Sequence, residues 1–147
     1  MNRIITLVVF SFLLLALSQE SKAQCNDELV NICALSVGDN AVYMKDFRAK
    51  LPRAKRNQAF PFAKYTIVLN RGTHYRLTLC NATDFEGEAI MQLYDDSQLL
   101  GSTIDLSTGR EFNSFDFMCQ KTDVYQIFIS FKEGKEGCAV GILSMVR

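Results

Sequence analysis

Along most of this chain, apolar side chains recur at every second position, and that period is the tightest constraint on what it can fold into. Tyr125, Ile127, Ile129 and Phe131 give the clearest run, and Tyr65, Ile67 and Leu69, then Tyr75, Leu77 and Leu79, then Ala89, Met91 and Leu93 repeat it. Residues two apart share one face of an extended strand, so each run predicts a strand with one buried side. Ala41–Phe47 reads as a first strand with ambiguous faces, Leu99–Ile104 as a short one, and Cys138–Val146 as the last. Phe115 and Phe117 point one way and Asp116 the other. Asn70-Arg71-Gly72-Thr73 lies between two alternating runs and predicts a hairpin turn. Asp95-Asp96 and Gly134-Lys135-Glu136-Gly137 supply further turns.

About eight short strands without intervening helices predict an all-β fold, an antiparallel β-sandwich of jelly-roll-like proportions. Its expected core is Ile67, Leu69, Leu77, Leu79, Leu93, Phe115, Phe117, Ile127 and Ile129. Tyr75 and Tyr125 are expected at the sheet edges, where a ring is buried and its hydroxyl still finds a partner. Only residues 26–36 carry a helical period, with Leu29, Ile32, Cys33 and Ser36 on one side. Asn26 or Asp27 can cap that helix and Gly38 can end it. It is expected to pack on one edge of the sandwich.

The first 23 residues have a different character. Met1-Asn2-Arg3 is a positive start, Ile4–Leu17 is almost unbroken apolar sequence, and Ser21-Lys22-Ala23 puts small residues where a signal peptidase reads them. The apolar run is shorter than the roughly 20 residues a membrane-spanning helix needs. Gln24 precedes Cys25, which does not fit a lipoprotein start. The expected organisation is therefore a signal peptide over 1–23, a cysteine-containing helix and turn over 24–40, and a β-sandwich over 41–147. The expected location is secreted or periplasmic, with no integral membrane span after cleavage.

Removal of those 23 residues from 147 leaves 124, enough to bury a core as one domain. Loss of Arg3, Lys22 and Glu20 with the leader leaves 14 basic and 15 acidic residues, and this balance gives no support for nucleic acid as a partner. All five cysteines, Cys25, Cys33, Cys80, Cys119 and Cys138, follow the cleavage site. In an exported protein they are expected to form two bridges and leave one thiol, with the connectivity open. Cys25 and Cys33 are eight residues apart, about 12 Å along a helix, too far to bridge each other. No Cys-x-x-Cys spacing suggests a redox or zinc site.

One stretch stands out as a binding candidate. Lys50–Lys64 contains Lys50, Arg53, Lys55, Arg56 and Lys64, no acidic residue, and both prolines of the chain, Pro52 and Pro61. It reads as a long exposed basic loop whose Arg53, Lys55 and Arg56 can attract an anionic polysaccharide, lipid head groups or an acidic protein face, with Phe60 and Phe62 adding apolar contacts. Its plainer reading has the two rings tucked onto the sandwich and the charges in water. From Asp84 to Asp123 the balance reverses. Asp84, Glu86, Glu88, Asp95 and Asp96 are a weak calcium candidate, because oxygen ligands are present but the spacing of a dedicated loop is not. No cofactor is expected. His74 is the only histidine, which excludes metal sites built on several imidazoles. It is six residues from Cys80, roughly 20 Å along a strand, which excludes a local pair, though Cys119 or Cys138 can meet it from another strand. At a strand entrance it reads first as a polar turn residue. Asn81-Ala82-Thr83 is a glycosylation sequon of use only in a eukaryotic host.

The order Tyr65-Thr66-Ile67-Val68-Leu69, Gly72, Tyr75-Arg76-Leu77, Leu93-Tyr94-Asp95, Phe115-Asp116-Phe117 and Tyr125-Gln126-Ile127 resembles the bacterial pre-peptidase C-terminal domain family of small secreted β-sandwiches. The resemblance covers about two-thirds of the mature chain. It departs at Asp123-Val124-Tyr125, where the family usually has glycine before the tyrosine, and in its cysteine-containing start. The family is usually appended to secreted hydrolases, and none is present here. The resemblance implies a non-catalytic fold and no ligand. The expected function is a non-catalytic binding or accessory module at the bacterial envelope or outside the cell, facing an envelope or extracellular protein or an anionic polysaccharide. The alternatives are a secreted hydrolase using acidic residues or a Cys/His74 pair, and an inhibitor or immunity-type protein that binds through its basic loop.

Overall fold

The computed structural model describes residues 25–147, and the expected signal peptide over 1–23 and its cleavage site lie outside them. One helix, α1 (Asp27–Leu35), precedes eight strands: β1 (Ala41–Leu51), β2 (Phe62–Leu69), β3 (His74–Asn81), β4 (Ala89–Asp95), β5 (Gln98–Ser102), β6 (Ser114–Met118), β7 (Asp123–Phe131) and β8 (Gly137–Val146). They form two four-stranded antiparallel sheets, which we call sheet A (order β1-β8-β3-β6) and sheet B (β2-β7-β4-β5). The all-β sandwich expected from the alternation is present, with the strand order of a jelly roll. Among the described residues no helix is long and apolar enough to cross a membrane.

The core lies between the sheets. Leu69, Leu77, Met91, Leu93, Ile127 and Ile129 are fully buried, and Phe47 and Tyr75 nearly so. Of the expected core only Phe115 and Phe117 are partly buried, since they sit on β6, the last strand of sheet A.

The predicted hairpin at residues 70–73 is not formed. β2 pairs only with β7 in sheet B, whereas β3 pairs with β8 and β6 in sheet A. The turn carries the chain from one sheet to the other. Gly72 takes the left-handed φ of 79° needed at this corner. The Gly72 N–H donates to the Cys119 carbonyl (2.8 Å), the Cys119 N–H to the Thr73 carbonyl (3.1 Å) and the Arg71 N–H to Thr122 Oγ1 (2.8 Å). Two alternating runs that face each other across a core look the same in sequence as two that pair side by side. Only β4 and β5 are consecutive strands of one sheet, joined by Asp96-Ser97 with Asp96 at φ 48°.

Three further expectations are corrected. Tyr75 and Tyr125 are buried as expected, but on interior strands rather than sheet edges. Their hydroxyls reach the strand ends, where Tyr75 Oη accepts from the Asn70 N–H (3.0 Å) and Tyr125 Oη donates to the Lys121 carbonyl (2.6 Å). Burial first, and the neighbouring Cys119 second, push the Tyr125 hydroxyl up to about 12. The helix does not lie on an edge. It packs flat on the outer face of sheet A, where Val30, Cys33 and Val37 cover Val140 and Ile142. β1 runs four residues past Phe47, and a bulge between Tyr43 and Lys45 switches its faces, which explains their ambiguity in sequence.

Two disulfides, Cys25–Cys138 and Cys33–Cys80, fasten the N-terminal segment to sheet A, and Cys119 is the free, buried thiol. Such bridges persist in oxidising compartments, so the protein is secreted or periplasmic.

Candidate functional site

The basic stretch is shorter than its sequence suggests. Lys50 and Leu51 finish β1, Phe62 starts β2, and the loop proper is residues 52–61. Pro52 and Pro61 bracket it, because a residue without N–H interrupts a ladder at either end. Three contacts hold the loop in place. The Ala54 N–H donates to the Gly134 carbonyl (2.7 Å), the Gln58 N–H to the Lys55 carbonyl (3.2 Å), and Arg53 Nη2 pairs with Glu86 Oε2 at 3.0 Å. Gly134 has no side chain to spare here, since a Cβ would stand 2.6 Å from that of Ala54 and 2.8 Å from the Phe60 ring. Lys55 and Arg56 are exposed and take part in no ion pair among the described residues. Lys50 lies over the Phe85 ring at 5.9 Å.

Phe60 and Phe62 do not tuck under. They are 57 % and 56 % exposed and open onto the outer face of sheet B. There Phe60, Phe62, Tyr94 and Phe128, with Gln92, Asp96, Ser97 and Ser130, line an open groove of about 400 Å³. The β2–β7–β4 register sets the floor, with Phe62 opposite Ser130, Lys64 opposite Phe128, and Phe128 opposite Gln92. Phe128 is the hub. Its ring meets Phe62 at 5.5 Å and Tyr94 edge-on at 5.4 Å, and the Lys64 ammonium sits 5.6 Å above it. Of the sequence candidates, the structure thus brings Phe60, Phe62 and Asp96 into one site, while Arg53, Lys55 and Arg56 are not part of its lining and Arg53 pairs with Glu86 instead. Phe128, Tyr94, Gln92, Ser97 and Ser130 were not foreseen. One signal was available: Phe128 is an aromatic on the outward side of β7, between the polar Gln126 and Ser130.

The acidic candidates do not converge. Asp84, Glu86 and Glu88 lie before β4 and Asp95 and Asp96 at its far end, seven residues from Glu88 and roughly 23 Å away along the strand. Glu86 is held by Arg53 and Glu88 by Lys132 (2.9 Å), whose hydrogen bond keeps the Glu88 carboxyl below its usual range. Among the described residues no three His, Cys, Asp or Glu side chains are grouped to hold a metal ion.

His74 begins β3, and its Nε2 lies 3.1 Å from Asp116 Oδ2. Arg76 grips the same carboxylate with Nε (2.7 Å) and Nη2 (2.9 Å) and donates through Nη1 to the Val37 carbonyl (3.1 Å) and Asn40 Oδ1 (3.2 Å). This cluster pins the segment after α1 to sheet A. Cys119 turns inward instead, with its thiol against the Lys121 carbonyl (3.1 Å) and Tyr125 Oη (3.5 Å), and Cys138 is bridged. The thiol–imidazole pair that a Cys/His74 hydrolase needs is not assembled.

The fold is that of a secreted or periplasmic all-β sandwich with an open aromatic groove on sheet B. No family model and no curated protein matches the chain. Among solved structures it is similar to PliG of Aeromonas hydrophila, a periplasmic lysozyme inhibitor of g-type lysozyme. That likeness has a TM-score of 0.50 at 9 % identity, over 71 % of this chain and 87 % of the other.

Proposed function

We propose that this protein is a non-catalytic, inhibitor-type domain that binds an extracellular or envelope enzyme through the groove of sheet B and the basic loop beside it. The observation that carries this reading is the outer face of sheet B, where four aromatic side chains surround a groove that no helix among the described residues covers. Exposed aromatic clusters rimmed by polar groups mark interaction surfaces. Phe62, Tyr94 and Phe128 form a packed centre that desolvates on contact, and Gln92, Ser97 and Ser130 offer hydrogen bonds around it. Lys55 and Arg56, exposed and unpaired among the described residues in the loop that carries Phe60, favour an acidic patch on the partner and speed encounter. The fold likeness to PliG supports an inhibitor role, and the resemblance to pre-peptidase C-terminal domains supports the same non-catalytic class.

The first target to test is a g-type lysozyme. Titration of the mature protein into a cell-wall lysis assay should give stoichiometric inhibition, and calorimetry should give a one-to-one complex per binding site. Phe62→Ala and Tyr94→Ala should each weaken binding by roughly thirtyfold, the scale of a central aromatic anchor. Lys55→Glu with Arg56→Glu should slow association and reduce its salt dependence. Lysozyme binding unaffected by both aromatic variants would remove the groove from the mechanism. No inhibition and no binding would remove lysozyme as the target.

A further inference from the structure

We propose that the free edge of β2 is a homodimer interface, at which two copies pair antiparallel about a two-fold axis at Tyr65 and join their B sheets into one. Four strands end a sheet here, β1, β6, β2 and β5, and three of them are guarded. β1 is broken by its bulge and presents Lys45, Asp46, Arg48 and Lys50. β5 and β6 have only five residues each. Bulges, charges and shortness are the usual devices that keep an edge from pairing.

β2 has none of them. It is eight residues long, its register with β7 is unbroken, and Tyr65, Thr66, Ile67 and Val68 are strong strand formers. Pro61 stops one residue short of it, so every residue of the strand keeps its N–H. Its single charge, Lys64, is folded back over Phe128 of its own sheet rather than aimed past the edge. Among the described residues the backbone of β2 hydrogen-bonds only to β7, which leaves its other side unpaired.

A second copy is the occupant because the strand is complementary to itself. Its outward residues are Phe62, Lys64, Thr66 and Val68, apolar at both ends and polar between, and Phe62 and Val68 are 56 % and 64 % exposed. Antiparallel pairing centred on Tyr65 sets Phe62 against Val68 of the second copy, twice, and Lys64 against Thr66, twice. On the inward side it sets Ala63 against Ile67. A shift by one residue would place outward residues against inward ones. Centring on Lys64 would oppose two ammonium groups, and centring on Thr66 would set Lys64 against Val68 and leave Phe62 beyond the paired residues. The isologous arrangement also sets two aromatic grooves side by side.

Sedimentation equilibrium of the disulfide-intact mature protein should show a dimer. Val68→Lys lies outside the groove and removes both apolar pairs, so it should weaken the dimer by roughly thirtyfold or more while leaving far-UV circular dichroism unchanged. Thr66→Lys, on the same exposed face, opposes Lys64 with a like charge and should do the same if Val68→Lys fails to fold. A mixture of Lys64→Cys and Thr66→Cys proteins should cross-link as a heterodimer under mild oxidation, and neither alone should. A monomer at every concentration overturns the proposal, as does a dimer indifferent to both lysine variants or a mixture that does not cross-link. These outcomes do not depend on lysozyme binding, so either proposal can fail without the other.

Discussion

Sheets A and B share one core and one period, yet their outer faces have opposite fates. On sheet A the outward residues of β8 include Val140 and Ile142, and α1 and the Cys33–Cys80 bridge seal them from water. On sheet B the outward residues of β7 are Val124, Gln126, Phe128 and Ser130, and no helix among the described residues covers them. β8 is therefore buried on both sides through most of its length, while β7 alternates to its end. An apolar outer face demands a lid, and among the described residues that lid is present on sheet A alone. The aromatic residues left on sheet B are affordable because polar neighbours keep the face soluble, and that leaves it free for a partner.

The sharpest way to break this contrast is to unfasten the lid. Cys33→Ala with Cys80→Ala removes a bridge spanning 47 residues, and the chain-entropy model puts its contribution at about 4 kcal/mol. Urea unfolding should show a loss of that order. Reduction of the wild type should lower stability further, since Cys25–Cys138 spans 113 residues. A double variant as stable as wild type would mean that α1 holds sheet A without its staple.

Matched truncations on the two faces sharpen it further. Ile142→Ala empties a fully buried position beneath the helix and should cost about 3 kcal/mol in the same urea experiment. Phe62→Ala on sheet B removes a larger side chain but should change stability by less than about 1 kcal/mol, because the ring is already 56 % exposed. Its cost should appear in partner binding instead. Similar stability losses from both would mean that the sheet B aromatics serve the fold.

Much of this was legible in the residues. The period of two locates the alternating strands and the core residues Ile67, Leu69, Leu77, Leu79, Leu93, Ile127 and Ile129, because burial on one side of a strand leaves its mark at every second position. It does not disclose Phe47, Ala139 or Leu143 on β1 and β8, whose faces do not alternate cleanly. Helical spacing at Leu29, Ile32 and Cys33 locates α1, and the distance from Cys25 to Cys33 correctly forbids a bridge between them. The pairing of strands was not legible. Tyr65–Leu69 and Tyr75–Leu79 alternate equally well whether they lie side by side or face each other, and Gly72 serves either turn. The groove was half visible. Phe60 and Phe62 stood out beside their charges, but Tyr94, Gln92 and Phe128 come together only through the β7–β4 register, which no local pattern encodes. The continuation of β1 to Leu51 was hidden by the charges on Arg48 and Lys50, which face outward and cost the ladder nothing.

The smallest expected effect tests how the segment leaving the lid is held. Asp116 accepts two hydrogen bonds from Arg76 and lies beside His74, and Arg76 in turn holds Val37 and Asn40. The Arg76 hydrogen bonds, more than the nearby His74, keep the Asp116 carboxyl below its ordinary value of 3.8. A carboxyl with a depressed folded-state pKa binds its proton more readily in the unfolded chain. Its contribution is therefore complete above the unfolded value near pH 4 and is lost as pH falls through the folded one. The side chain is 36 % exposed, so solvent screening limits that contribution to under about 1 kcal/mol. Unfolding by urea at a series of pH values below 5 should show wild type losing this increment with acid. Asp116→Asn should start lower at neutral pH and fall less steeply. Parallel acid limbs for the two proteins would show that the Asp116 carboxylate contributes nothing to anchoring the segment that follows α1.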